Sequence, residues 1–163
     1  MARNSLLCHV NLETAHTHRI PGELGAVSAA DDYEQTLRAC LASSDNRFDL
    51  VLLGLGADGH TASLFPGTAA LHVRDRWCVA NSVPQSQLDR VTLTFPIFNI
   101  ARRVVFQVTG INKAEALRSV VTKPIDLEQR PAQGVCPAHG ELVWFVDRTA
   151  ASLLPQEALT QTT

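Results

Sequence analysis

Short, nearly unbroken apolar runs alternate along this chain with longer stretches in which apolar residues recur every three or four positions. The first clear run, "FDLVLLGLG" over residues 48–56, is short and closes on glycine. That pattern predicts a strand buried on both faces, as in a parallel sheet covered by helices. "WCVANSV" (77–83), "RVTLTF" (90–95), "RRVVFQVTG" (102–110) and "ELVWFVD" (141–147) have the same character. Helical spacing runs through Ala30, Tyr33, Leu37, Cys40 and Leu41. It predicts a helix that ends near Ala42, with Ser28 as N-cap and Asp31 in a box-like position three residues on. A second helix is predicted over Lys113–Val121, followed by a proline-punctuated loop from Lys123 to Pro137. Residues 2–10 read as the tail of an amphipathic helix with Leu6, Leu7 and Val10 on one side, and the Pro-Gly pair in "HRIPGELG" marks a turn. The last residues, "EALTQTT", read as a frayed end. Strands alternating with helices predict an α/β fold, a Rossmann-like wound and mostly parallel sheet with flanking helices.

Length and composition narrow the class without naming it. The chain has 163 residues, the size of one domain, with 45% apolar and 18% charged residues. A net charge of −2 carries no electrostatic footprint for nucleic acid or an acidic membrane face. No apolar run reaches the length of a bilayer span, and the start lacks a secretory pattern. The expectation is a soluble cytoplasmic protein. Cys8, Cys40, Cys78 and Cys136 form no C-x-x-C pair and read as reduced, mostly buried thiols. His9, His16 and His18 cluster loosely, but no thiolate or carboxylate stands at a usual ligand spacing, so no metal is expected.

The chemistry is concentrated in "LVLLGLGADGHTASLFPGT", residues 50–68. In an open α/β sheet, ligands bind beyond the carboxyl ends of the strands. A strand ending at Leu53 therefore delivers Asp58 and His60 to a functional edge. Gly54, Gly56 and Gly59 free the backbone there and would let a ligand approach closely. Residues 60–63 read as the start of a short helix whose N-terminus would favour anionic oxygens. Histidine is the side chain best suited to accept a proton near neutral pH, and the aspartate two residues earlier could orient it. On spacing alone the alternative stays open that His60 merely caps a turn. "GLGADG" also departs from the dinucleotide fingerprint.

The full string resembles the signature of the 6-phosphogluconolactonases, within the family that includes the glucosamine-6-phosphate isomerases. "SVPQSQLDRVTLTFPIFNIARRVVFQVTGINKAEAL" (82–117), "GELVWFVDRTAASLL" and "LLCHVNLETAHTHRIPGEL" resemble the neighbouring family blocks in order, so nearly the whole chain is covered. The resemblance implies hydrolysis of 6-phospho-D-glucono-1,5-lactone to 6-phosphogluconate in the oxidative pentose phosphate pathway, with no metal or organic cofactor. It implies that His60 activates the attacking water beside Asp58. It also implies that Arg90 and Lys113 hold the sugar phosphate, with Gly56 and Gly59 lining the substrate. Arginine suits bidentate phosphate recognition and lysine a mobile point charge, so the residue types agree.

Two departures from the family pattern stand out. The loop before Arg90 usually reads Ser-Pro-Lys-Pro-Pro; here it is "SVPQSQLD", without the lysine. Arg102 and Arg103 are the nearest basic substitutes, and both read as solvent-facing. The chain also enters the family pattern partway along, which implies a single partial domain over residues 1–163 lacking the N-terminal third. The expected consequence is an apolar sheet edge open to self-association. Two other functions remain as alternatives: a sugar-phosphate isomerase or deaminase, against which "TASLFPG" argues, and an inactive sugar-phosphate-binding fragment.

Overall fold

The computed structural model describes residues 2–12, 16–84 and 88–159. Three strands, β1 (Val51–Leu53), β4 (Arg103–Val108) and β5 (Glu141–Val146), form a parallel sheet in the order β1-β4-β5. Leu53 lies opposite Phe106 and Phe106 opposite Trp144, so all three strands end on the same side. The fold class is the one the sequence predicts, but two of the five strands lie outside the sheet. β2 (Cys78–Val83) and β3 (Leu88–Leu93) make a separate antiparallel ribbon. Only residues 84–87 join them, too few for the crossover of a dozen or more residues that parallel pairing requires.

α2 (Ala26–Leu41) begins earlier than its side chains predict. Its N-cap is Gly25, at φ 81°, and Ser28 lies inside the helix. Ala30, Leu37 and Leu41 face the core, and α2 packs against the β2–β3 ribbon. α4 (Ala114–Thr122) buries Ala114, Ala116, Leu117 and Val120, while α3 (Phe95–Asn99) buries Phe95, Ile97 and Phe98. The opening is not one amphipathic helix. α1 (Ala2–Ser5) gives way to a 3-10 turn at Leu7–His9 with no buried residue, and Leu6 and Val10 are exposed. α5 (Gln156–Leu159) occupies part of the expected frayed end, whose residues 160–163 lie outside the described residues.

One face of the sheet is packed, and the other is only partly covered: Val105 is buried there, but large apolar side chains are exposed. On the packed face Val51, Leu53, Val104, Phe106 and Val108 are buried, and Phe106 stacks on Trp144 with centroids 4.0 Å apart. On the other face Leu52 is 68% exposed and Phe145 63% exposed. The expectation of a β1 buried on both sides is therefore corrected: the run is apolar throughout, but only alternate residues find a covering layer. The cysteine expectation is corrected too. Cys78 alone is buried, and burial pushes its thiol up to about 12, whereas Cys8, Cys40 and Cys136 are exposed.

Candidate active site

β1 ends at Leu53 and the chain turns back on itself over residues 54–61. The Gly56 N–H donates to the His60 carbonyl at 2.8 Å, and the Gly59 N–H donates to the Gly56 carbonyl at 3.1 Å. The Thr61 hydroxyl closes the turn on the Gly54 carbonyl at 2.9 Å. Inside it the His60 Nδ1 lies 2.6 Å from Asp58 Oδ1, and the same oxygen accepts the His60 backbone N–H at 3.1 Å. The Asp58 carboxyl is partly buried, which raises its pKa. The two His60 hydrogen bonds outweigh that effect and hold it below the usual range. An ionised Asp58 fixes the proton on Nδ1 and leaves Nε2 with its lone pair. The imidazole is 28% exposed and packs against Phe65, ring centroids 4.2 Å apart.

The glycines act differently from the sequence-based expectation. A Cβ on Gly56 would overlap the His60 ring and the Asp58 carboxylate, so the missing side chain makes room for the dyad. Gly59, at φ 85°, faces the backbone of Arg130, and its carbonyl accepts the Ala132 N–H at 3.0 Å. Both spaces are filled by the protein itself. Residues 60–63 do not start a helix: Thr61 bridges to Leu64 and Ala62 takes φ 51°, a region L-residues seldom enter. The expected helix N-terminus at that point is absent.

Two layers clamp this loop. From the ribbon, Asn81 donates to the Ser63 carbonyl at 2.8 Å and to the Thr68 hydroxyl at 3.0 Å, while the Ser63 N–H donates to Thr92 Oγ1 at 3.2 Å. From the other side, the Gly67 N–H donates to the Glu128 carbonyl at 3.1 Å. Arg90 stands opposite Asn81 and two residues from Thr92, so it shares the ribbon face that grips the loop. Its side chain is exposed and has no ion pair among the described residues. It is the third residue of β3 rather than the first residue of the strand.

Lys113 closes a 3-10 turn, Ile111–Lys113, between β4 and α4. β4 neighbours β1 in parallel, so Lys113 and the His60 turn emerge from the same end of the sheet. It is half-buried and, like Arg90, lacks an ion pair among the described residues. Arg102 and Arg103 sit at the opposite end, where Arg102 meets Asp45 and Asp49 and Arg103 meets Glu141. They cannot substitute for the missing lysine, and residues 85–87 of that loop lie outside the described residues. Among the described residues, no cluster of three or more His, Cys, Asp or Glu side chains could hold a metal ion, and no helix is long and apolar enough to cross a membrane. Sequence reasoning missed Phe65, Asn81 and Thr92. The one available signal was Asn81, an amide in an otherwise apolar run.

Known proteins resemble this chain in sequence and in fold. Residues 1–144 match the family described as glucosamine-6-phosphate isomerases/6-phosphogluconolactonase. The chain is 38% identical to a probable 6-phosphogluconolactonase of Arabidopsis thaliana, over 94% of this chain and 62% of that protein. It is 40% identical to a 6-phosphogluconolactonase of Nostoc, over 94% of this chain and 65% of that one. Among solved structures, the devB protein superposes with a TM-score of 0.84 at 32% identity, over 94% of this chain and 65% of its own. The chain thus spans less than two thirds of the length of each of these relatives. By sequence and by fold, the chain belongs to the glucosamine-6-phosphate isomerase/6-phosphogluconolactonase family.

Proposed function

We propose that residues 1–163 belong to a single 6-phosphogluconolactonase-like domain that hydrolyses 6-phospho-D-glucono-1,5-lactone to 6-phosphogluconate in the oxidative pentose phosphate pathway. The carrying observation is the 2.6 Å contact between Asp58 and His60 on a turn that leaves the carboxyl end of β1. The relatives named 6-phosphogluconolactonase support the choice of substrate.

With Nδ1–H held by Asp58, His60 Nε2 takes a proton from water as the water oxygen attacks the lactone carbonyl. The tetrahedral intermediate then expels the ring oxygen, which receives that proton from His60. The ring opens to a hydroxyl and a carboxylic acid that ionises at neutral pH, and His60 returns to its starting form. Asp58 stabilises the imidazolium in between, and general base action of this kind contributes about 10²–10⁴-fold to rate. Arg90 takes the phosphate in a bidentate grip and Lys113 adds a point charge. Gly56 and Gly59 shape the turn against which the sugar ring lies. The enzyme works in the cytoplasm, without metal or organic cofactor, and two copies associate through the β1 edge.

The test is hydrolysis of freshly prepared lactone by the 163-residue chain, with the spontaneous opening subtracted. Turnover that falls by about 10²–10⁴-fold in His60→Ala is expected. Arg90→Ala should instead raise KM while leaving kcat within a few-fold. Turnover that survives the loss of His60 removes the base assignment, and an unchanged KM removes Arg90 from the phosphate.

A further inference from the structure

The turn that carries Lys113 is held from another strand. Asp147 follows β5, and its two carboxylate oxygens have separate duties. Oδ1 accepts the Ala150 N–H at 2.7 Å and the Thr149 hydroxyl at 3.0 Å, which organises the turn after the strand. Oδ2 reaches across to β4's exit and accepts the Gly110 N–H at 3.0 Å. The Asp147 N–H also donates to the Val108 carbonyl at 3.2 Å, so the two strand ends are tied on both sides of residue 109. Gly110 takes φ 97°, and its carbonyl accepts the Lys113 N–H at 3.1 Å. A continuous path of hydrogen bonds therefore runs from the Asp147 carboxylate to the backbone of Lys113. The carboxylate is itself a poor phosphate neighbour, because like charges repel.

We propose that Asp147 is a positioning residue: by holding Gly110 it sets the turn that presents the Lys113 ammonium to the substrate phosphate. This rests on the phosphate role given to Lys113 above. Restricting the turn before binding removes an ordering cost that a free loop would meet on each binding event. The hydrogen bonds, led by that from Ala150, hold the Asp147 carboxyl below the usual range and keep it ionised at neutral pH.

Asp147→Asn separates the two duties. The amide keeps a single acceptor oxygen, and two donors on the Oδ1 side compete against one on the Oδ2 side. The oxygen stays with Ala150 and Thr149, and the NH₂ group turns toward the Gly110 N–H, donor against donor. Thr149→Val removes a bond only on the Oδ1 side and serves as the control.

The experiment is calorimetric titration of the full chain with 6-phosphogluconate, the stable product that carries the same phosphate. It uses Asp147→Asn, Lys113→Ala, the double variant and Thr149→Val, with amide hydrogen exchange followed at Gly110 and Lys113. Asp147→Asn should weaken Kd about 5-fold, the loss of one hydrogen bond, and speed exchange at both amides. Thr149→Val should leave Kd unchanged, and the double variant should bind no more weakly than Lys113→Ala alone. Faster exchange at Gly110 with an unchanged Kd overturns the proposal while leaving Lys113 its role. A full further 5-fold loss in the Lys113→Ala background overturns it as well, since Asp147 would then act by another route. Unaltered binding in Lys113→Ala, or no binding by the parent chain, removes the phosphate reading and the proposal with it.

Discussion

Gly56 is the residue on which the geometry of the Asp58–His60 dyad turns, because the place of its side chain is taken by theirs. A methyl group there must displace the imidazole, the carboxylate or the backbone hydrogen bond from Gly56 to the His60 carbonyl. Gly56→Ala is therefore expected to lower turnover by about 10²–10⁴-fold, as far as His60→Ala does. Affinity for 6-phosphogluconate should fall far less than turnover, since Arg90 and Lys113, which hold the phosphate in this reading, lie on other elements. Paired kcat and calorimetric measurements check this, and turnover within a few-fold of the parent would show that the dyad tolerates displacement. Phe65 has a quieter part: packed on the ring at 4.2 Å, it limits how far His60 can swing.

At the scale of elements, the attachment of α2 to the ribbon depends on a buried acid. Glu34 on α2 is 5% exposed, ion-pairs with Arg38 and Arg76 and accepts the Trp77 N–H at 3.2 Å. Arg76 also reaches Asp31 at 2.7 Å, and Arg38 lies over the Trp77 ring at 4.4 Å. Burial raises the Glu34 pKa, but the hydrogen bonds from Arg76, Arg38 and Trp77 prevail and hold it below the ordinary range. A depressed carboxylate stabilises the fold fully above its unfolded pKa, about 4.3, and loses that contribution as pH falls through the lower folded value. Glu34→Gln should accordingly be destabilised by about 1–3 kcal/mol at neutral pH, with the difference shrinking below about pH 4. Urea unfolding at several pH values measures it; a difference that is constant with pH would place the effect in packing rather than charge.

For the whole molecule, the second face of the sheet is incompletely covered. Leu52 at 68% and Phe145 at 63% exposure share a face with the half-buried Val143, and β1 has one pairing partner among the described residues. Contiguous apolar surface next to an unpaired edge favours association. Leu52→Lys should shift sedimentation toward the monomer while changing stability by no more than about 0.5 kcal/mol, because little burial is lost. A parent chain that is monomeric at every concentration would remove the proposed self-association.

The residues of the dyad could be read from the sequence because they stand two apart on one glycine-bounded turn, where local backbone geometry decides the outcome. The same holds for the existence of five strands and for the helix after Lys113, which follow from apolar spacing and turn chemistry. Sorting the strands required tertiary structure, since a parallel-sheet strand and a ribbon strand carry the same apolar residues. The short link between Val83 and Leu88 was the one local sign of antiparallel pairing. The space beside Gly56 is filled by side chains that the turn folds inward, and the Gly59 carbonyl meets an Ala132 N–H that is remote along the chain. The bond from Asp147 to Gly110 joins residues 37 positions apart. Sequence by itself determined the Asp58–His60 contact, which is carried on a single turn. The three-dimensional packing decided which turns face one another, because hydrogen bonds between distant segments depend on strand order, to which local periodicity is blind.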